Sequence, residues 1–302
     1  MTKIRSKDSS MIDDRRGQGG GGGGAGFPGL GGLGGMPAGM KAGGGVLGLI
    51  ITLAVLFMSG ALGGDGSTSG GTTNSANGLG GGAAAEACTT DLEQTLCGST
   101  IDVQQYWGAA LPKYFSTPYQ NTKTVFFSGR TNTGCGAATS EVGPFYCPAD
   151  QLVYFDLDFL VALEQQFIGQ STDLAQQYIV AHEYGHHIQN LLGTSDQVRR
   201  LQKSRPSLAN QYSVALELQA DCYAGVWVGD VARRGLLDSN EEIDEALNAA
   251  AGVGDDRIQI AAQGRTDPET YTHGTAQQRQ DWFTRGYNTL DPRQCDPFKE
   301  MF

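Results

Sequence analysis

The sequence has few histidines, and none of its cysteines forms a CxxC pair. Only four histidines occur in 302 residues, so a metal site built from imidazole rings has few positions to draw on. The lack of a CxxC pair among the six cysteines argues against the common cysteine-rich structural zinc sites. An even number of cysteines favours disulfides instead, and disulfides persist in oxidising compartments outside the cytoplasm.

Basic residues are also scarce, with 21 Lys and Arg against 32 Asp and Glu and a net charge of -11. Residues 1–45 contain six basic and three acidic side chains, which leaves a net charge of -14 on the rest of the chain. A strongly acidic domain repels phosphate backbones. The composition therefore excludes nucleic acid as a partner.

Glycine is abundant in one part of the chain only, since 28 of the 45 glycines fall between Gly17 and Gly82. Such a segment buries little side-chain area and loses much backbone entropy on ordering, so we expect residues 1–45 to be disordered. Residues 46–62, VLGLIITLAVLFMSGAL, carry no charge and come close to the minimum length of a membrane-spanning helix. We predict one transmembrane helix there and a linker rich in Gly, Ser and Thr at 63–87.

The charges on either side of this helix predict its orientation. Lys41 and five further basic residues precede it, whereas no Lys or Arg follows it until Lys113. The positive-inside rule then places the amino terminus in the cytoplasm and residues 88–302 outside, in the periplasm or at the cell exterior. A cleaved signal peptide is the alternative, because Ser59 and Ala61 resemble a cleavage site, but the region ahead of the apolar run is unusually long for one.

Residues 88–302 have the pattern of an α+β domain that becomes mainly helical after residue 160. Strands are expected in KTVFFSG and FYCPADQLVYFDLDF, which are rich in aromatic and β-branched residues. We expect the helix with the histidines to begin with a capping box of Asp173 and Gln176 and to end before Gly193. Apolar periodicity and capping signals place the helices at 89–116, 174–192, 213–235, 239–251 and 275–287.

Three of the four histidines lie in IVAHEYGHHIQN, residues 179–190. On a helix His182 and His186 are about 40° apart around the axis and one turn apart along it, so both rings can reach one ion. Glu183 is angled so that its carboxylate can reach a metal-bound water, which completes an H-E-x-x-H arrangement. His187 lies about 140° from His182, and we expect it at the surface or behind the ligands.

A catalytic zinc needs a third protein ligand. Gln189 and Leu192 occupy the positions where the metzincin pattern requires Gly and His, which excludes that class. The sequence ELQAD places Glu217 and Asp221 on one face of a second helix. This spacing is similar to that of the thermolysin-like gluzincins, and the likeness implies Glu217 as the third ligand and Asp221 as the acceptor of a hydrogen bond from His182.

The alternative to a metal site is a chance H-E-x-x-H on an ordinary structural helix. Gly185 argues against it, because a glycine inside a helix costs about 1 kcal/mol relative to alanine. A purely structural helix would have little reason to keep that glycine.

His273 is the only histidine outside the cluster, and in THGTAQQR it precedes an expected helix start. The helix dipole disfavours protonation there, and a neutral imidazole could donate a hydrogen bond to a reaction oxyanion. Capping or supporting the helix is the alternative for this residue.

The cysteines favour short local disulfides, although sequence alone leaves 15 possible pairings of six cysteines. A buried free thiol at Cys222 is an alternative. A bridge from Cys222 would tie the helix of Glu217 to the carboxyl tail. The favoured pairs are Cys88–Cys97, Cys135–Cys147 and Cys222–Cys295.

The order of motifs resembles a known family. DDRRGQGGGGG, a lone apolar run, TGCGAATSEVGPFYCPADQLVYFDLDF, VAHEYGHHIQN, ELQADCYAGVW and THGTAQQRQDWFTRGY follow one another as in the neutral zinc metallopeptidase family of bacterial membrane-anchored proteins. The resemblance covers nearly the whole chain. It implies a zincin-like fold and a peptidase activity.

The expected function is that of a membrane-anchored metallopeptidase that binds Zn²⁺ through His182, His186 and Glu217. A zinc-activated water would hydrolyse a peptide bond with Glu183 as general base. The expected partners are a peptide or protein substrate and, through one helix, a membrane. Two other classes stay open: an inactive zincin-like module that scaffolds a membrane or envelope complex, and a purely structural domain stabilised by disulfides.

Overall fold

The computed structural model describes residues 3–17, 86–163, 172–237 and 241–300. Within these ranges the chain forms six β-strands and eight α-helices. The strands are β1 Ile12–Asp14, β2 Thr124–Phe127, β3 Arg130–Thr133, β4 Gly136–Thr139, β5 Phe145–Cys147 and β6 Leu152–Asp156. The helices are α1 Asp91–Phe115, α2 Leu157–Leu163, α3 Asp173–Leu191, α4 Thr194–Ser204, α5 Ala209–Arg233, α6 Glu241–Gly252, α7 Asp255–Gln263 and α8 Ala276–Thr289.

The main sheet has four strands in the order β1-β2-β6-β5. Strands β1, β2 and β6 are parallel, and β5 runs antiparallel to β6. Every residue of β2 is buried, as expected for a short apolar strand in the middle of a sheet. The strands predicted in KTVFFSG and FYCPADQLVYFDLDF are confirmed, whereas β1 and the separate β3–β4 hairpin were not predicted.

The predicted α+β class is confirmed, and the long helices lie within a few residues of their predicted bounds. The start of α3 differs in one detail. Its N-cap is Thr172, whose hydroxyl accepts a hydrogen bond from the amide of Ala175, so the predicted capping box at Asp173 is wrong. The carboxylate of Asp173 instead accepts two hydrogen bonds from Arg5, at 2.9 and 3.0 Å.

Helix α3 lies at the centre of the helical layer. It packs against α1 on one side and α5 on another, and α5 in turn packs along α8. Trp107 of α1, Tyr184 of α3 and Trp227 of α5 are fully buried in one core. The helix that carries three histidines is therefore held on several sides, which fixes the directions of its side chains.

The expectation of disorder is wrong for residues 3–17. Ile4 and Ile12 are buried in the main core, and β1 pairs with β2. The physical reason lies in the composition, because the glycine-rich stretch begins at Gly17 and residues 1–16 contain no glycine. The segment before Gly17 therefore has apolar side chains that can be buried in the core and charged side chains that can form ion pairs.

The predicted transmembrane helix at 46–62 lies outside the described residues, as does most of the predicted linker. Among the helices that the structure describes, none combines the length and apolar character needed to cross a bilayer.

All six cysteines form disulfides, and the pairs are the favoured ones. The two short loops are closed locally, and the third bridge ties α5 to the carboxyl tail. The pairs are Cys88–Cys97, Cys135–Cys147 and Cys222–Cys295.

Candidate metal centre

Helices α3 and α5 approach each other closely at Gly185. A Cβ atom there would lie 3.0 Å from both the Cα and the backbone oxygen of Ala220 on α5, which is closer than side chains normally come. Close packing of the two helices therefore explains the glycine at position 185. The interpretation that a purely structural helix would have little reason to keep this glycine is wrong. The same close approach carries Glu217, one turn before Ala220, to the histidines of α3.

Three metal-ligating groups converge between these helices. Nε2 of His182 lies 3.1 Å from Oε2 of Glu217, and Nε2 of His186 lies 3.5 Å from Oε1 of the same carboxylate. One donor atom from each residue lies within 4.8 Å of the other two. Two donors bound to one tetrahedral zinc are roughly 3.3 Å apart. The spacing and the chemistry of this His-His-Glu set therefore fit a zinc ion.

Hydrogen bonds orient both imidazole rings toward that position. Nδ1 of His182 lies 2.8 Å from Oδ1 of Asp221, and Nδ1 of His186 lies 2.9 Å from Oε1 of Gln189. With each Nδ1 proton donated to an oxygen, each Nε2 atom keeps its lone pair for a metal. The predicted contact between Asp221 and His182 is present.

Asp221 belongs to a buried network that sequence reasoning missed. Nε and Nη2 of Arg279 donate to its two oxygens at 2.8 and 2.9 Å, and the hydroxyl of Tyr178 donates at 2.5 Å. Burial alone would raise the pKa of Asp221, but the charges of Arg279 and His182 lower it. Arg279 lies in the THGTAQQR motif, so the motif itself was the available signal.

Gln189 links the second histidine to the carboxyl tail. Its amide nitrogen donates to the carbonyl of Leu216 at 2.7 Å and to Oε1 of Gln219 at 3.2 Å. Gln219 in turn donates to the carbonyl of Cys295 at 2.7 Å. Sequence reasoning used Gln189 only to exclude metzincins, yet this residue holds the His186 ring.

The electrostatics of the site favour a proton or a cation between the carboxylates. Burial by itself lowers the pKa of His182, but the carboxylates of Asp221 and Glu217 raise it to about 10. The pKa of Glu217 is low although burial opposes this, because His186 and His182 stabilise its charge. A cation that replaces the proton on His182 would meet the same negative field.

Glu183 is buried beside the converging ligands, with 7% of its surface exposed. Burial raises its pKa, although the charges of His182 and His186 oppose the rise. A carboxylate with a raised pKa next to a metal position suits proton transfer near neutral pH.

His273 lies near the same position, and its charge helps to lower the pKa of Glu217. Nδ1 of His273 is 3.2 Å from Oδ1 of Asp255, and Oδ2 of Asp255 accepts the amide hydrogen bonds of Thr272, His273 and Gly274 at 2.7, 2.6 and 3.0 Å. Burial lowers the pKa of His273, but Asp255 and Glu217 raise it overall. The predicted lowering by the helix dipole is therefore wrong, because two carboxylates outweigh the dipole.

His187 is fully buried, so its predicted place at the surface is wrong. Its Nε2 lies 2.7 Å from the carbonyl oxygen of Gln120, and its Nδ1 lies 3.0 Å from the hydroxyl of Tyr146. His187 joins α3 to β5 and to the loop before β2. The structure therefore separates His187 from the other two histidines of the cluster.

Curated bacterial proteins are similar to this chain over about two thirds of its length. The chain is 49% identical over 193 residues to "Uncharacterized protein YpfJ" of Escherichia coli K12. The matched region makes up 64% of this chain and 66% of YpfJ, so the chain spans just under two thirds of that protein's length. It is also 49% identical over 210 residues to "Uncharacterized protein Rv2575" of Mycobacterium tuberculosis H37Rv, covering 67% of this chain and 68% of that protein. No solved structure matches significantly.

The comparison with protein families covers almost the whole sequence. Residues 1–298 match the family described as "Putative neutral zinc metallopeptidase", so the match includes the amino-terminal residues as well as both helices of the candidate site. The metal that this family name implies fits the His-His-Glu set. The resemblance drawn from the motifs is thus confirmed, and the chain belongs to the neutral zinc metallopeptidase family.

Proposed function

We propose that this protein is a zinc-dependent peptidase whose ligands are His182, His186 and Glu217. The observation that carries the proposal is the convergence of these three groups with the buried carboxylate of Glu183 beside them. Zinc bound there would supply a Lewis acid that polarises a peptide carbonyl and lowers the pKa of a water molecule. Peptides and proteins are the substrates that the family name implies.

Glu183 moves the proton in this proposal. Its raised pKa lets the carboxylate accept a proton from the attacking water at Oε and still release it to the leaving amine. It is adjacent in sequence to His182, and the charges of both ligand histidines act on it. A module without chemistry would have no need of a buried carboxylate at this place.

His273 stabilises negative charge on the substrate. Nδ1 of His273 donates to Asp255, so Nε2 can donate a hydrogen bond to an oxyanion when the ring is protonated. The raised pKa of His273 strengthens it as a donor, because a protonated ring donates from both nitrogens. Asp221 and Arg279 act indirectly. Asp221 positions the ring of His182, and Arg279 holds Asp221.

Replacement of Glu183 by glutamine tests the proposal. The amide keeps the shape of the side chain but cannot accept the proton, so turnover on a cleavable peptide is expected to fall by about 10²- to 10⁴-fold. Zinc content is expected to stay at the level of the parent protein, because the three ligands are unchanged. Glu269→Gln, at an exposed position, is the matched control and should leave turnover unchanged.

A mixture of fluorogenic peptides provides the assay, and metal analysis accompanies it. Equal turnover of Glu183→Gln and the parent would show that Glu183 is not the base. If both proteins held zinc and neither cleaved any peptide, the inactive scaffold would replace the peptidase as the explanation.

A further inference from the structure

Residues 3–17, here called the strap, lie across the domain formed by the remaining described residues. The strap contributes β1, which adds a parallel edge strand beside β2. The amide of Thr124 donates to the carbonyl of Met11 at 2.9 Å, and the amide of Arg15 donates to the carbonyl of Phe126 at 2.8 Å. Hydrogen bonds thus hold both ends of β1.

Ion pairs fasten the strap to two helices. Arg16 pairs with Glu93, a buried residue in the first turn of α1. Arg5 pairs with Asp91 of α1 at 3.1 Å and with Asp173, the first residue of α3, at 2.9 Å. The strap is therefore joined to the start of the helix that carries the proposed metal ligands.

The domain is also shaped to receive the strap. Ile4 and Ile12 are buried in the main core. A Cβ atom on Gly98 of α1 would lie 2.9 Å from the Cα of Arg5, so this position of α1 accepts the strap backbone only as glycine. Apolar burial, strand pairing and ion pairs all indicate a permanent part of the fold rather than a passing contact.

We infer that the strap lies on the same side of any membrane as the rest of the domain. Hydrogen bonds of about 3 Å join the two, whereas the hydrocarbon core of a bilayer is about 30 Å thick. If the chain enters a bilayer between Gly17 and Glu86, it must therefore leave on the face by which it entered.

The inference conflicts with the single crossing predicted at 46–62. A single crossing puts the strap and the domain on opposite sides, and this apolar run is long enough for one passage only. The basic residues of the strap, which supported a cytoplasmic amino terminus, have another use in the structure. Arg5, Arg15 and Arg16 pair with acidic side chains, so they are poor markers of orientation.

Thiol labelling tests the inference on the full chain. Because all six cysteines are paired, an introduced cysteine supplies the free thiol, and the parent protein measures the background. Lys7→Cys reports the strap and Arg200→Cys reports the domain; both positions are exposed and lie outside the proposed site. A membrane-impermeant maleimide is applied to spheroplasts before and after detergent, and peptide mapping locates the label.

Equal labelling of the two variants before detergent is expected, whether both react or both are protected. Labelling of one variant before detergent and of the other only afterwards would overturn the inference. A conservative pair, Lys7→Ser and Arg200→Ser, should give only the background of the parent and so shows that the label reports the new thiol.

Discussion

The two faces of α3 place histidines in opposite electrostatic environments. On the face toward α5, Nε2 of His182 lies 3.1 Å from a carboxylate oxygen of Glu217, and its Nδ1 lies 2.8 Å from Asp221. On the other face, His187 contacts a phenol hydroxyl and a backbone carbonyl. Against the effect of burial, the carboxylates raise the pKa of His182 to about 10, whereas burial lowers that of His187.

The candidate metal site therefore depends on the neighbouring helix rather than on the number of histidines. Both residues belong to the same cluster, and both are buried. Only one face receives two carboxylates from α5 and a buried guanidinium from α8 behind them. The opposite face offers His187 neutral partners and serves packing.

The largest expected effect comes from removing the charged ligand on α5. Glu217→Gln replaces a carboxylate by a neutral amide, and we expect zinc affinity to fall by more than about 100-fold, beyond the effect typical of residues behind the ligands. Competition with a chelator measures the affinity. Glu269→Gln changes the net charge equally at an exposed position, and equal affinities of these two variants would contradict the ligand assignment.

A smaller effect is expected behind the ligands. Asp221→Asn keeps the shape of the side chain but removes the charge that holds His182 and Arg279. Zinc affinity should fall by about 10- to 100-fold. The free energy of unfolding should fall by about 3 to 5 kcal/mol, because the Arg279 charge stays buried without its partner. Unchanged zinc affinity in a folded Asp221→Asn protein would show that Asp221 does not support zinc binding.

The pH dependence of zinc binding is the third and milder effect. In the metal-free protein the pKa of His182 is raised from 6.5 to about 10. At any pH below that value, zinc must therefore displace the proton on the His182 ring. Apparent zinc affinity should therefore rise with pH up to about 10, by up to about tenfold per pH unit. The proton itself stabilises the metal-free fold fully below 6.5, and this contribution disappears as the pH rises toward 10.

Zinc titrations at several pH values test whether the apparent zinc affinity rises with pH. A zinc affinity that falls with pH across that range would show that no proton leaves the site on binding. The slope should be shallower in Asp221→Asn, because its His182 loses the carboxylate that raises the pKa.

The convergence of the candidate ligands could be predicted partly from local periodicity and, for Glu217, from the likeness of ELQAD to the gluzincin helix. His182 and His186 are one turn apart on one helix, and Glu217 and Asp221 are one turn apart on another. Gln189 and Arg279 could not be assigned in the same way, because their partners depend on how α3, α5 and α8 cross. Capping signals located α8 for a similar local reason, through Thr275 and Gln278.

The amino-terminal strap shows the opposite case. Its strand is three residues long, too short to produce a periodic signal, and the adjacent glycine-rich segment dominates the composition. Its pairing with β2 joins residues more than a hundred positions apart. Only the folded domain supplies Asp91 and Asp173 as partners of Arg5 and Glu93 as a partner of Arg16.

We propose that the face of α3 toward α5 binds zinc and that the opposite face does not. The most direct test is the zinc content, after mild chelation, of the parent protein, His186→Gln and His187→Gln, which carry the same substitution at adjacent positions. We expect one zinc per chain in the parent and in His187→Gln, and loss of zinc from His186→Gln. Full zinc in His186→Gln, or none in the parent protein, would contradict it.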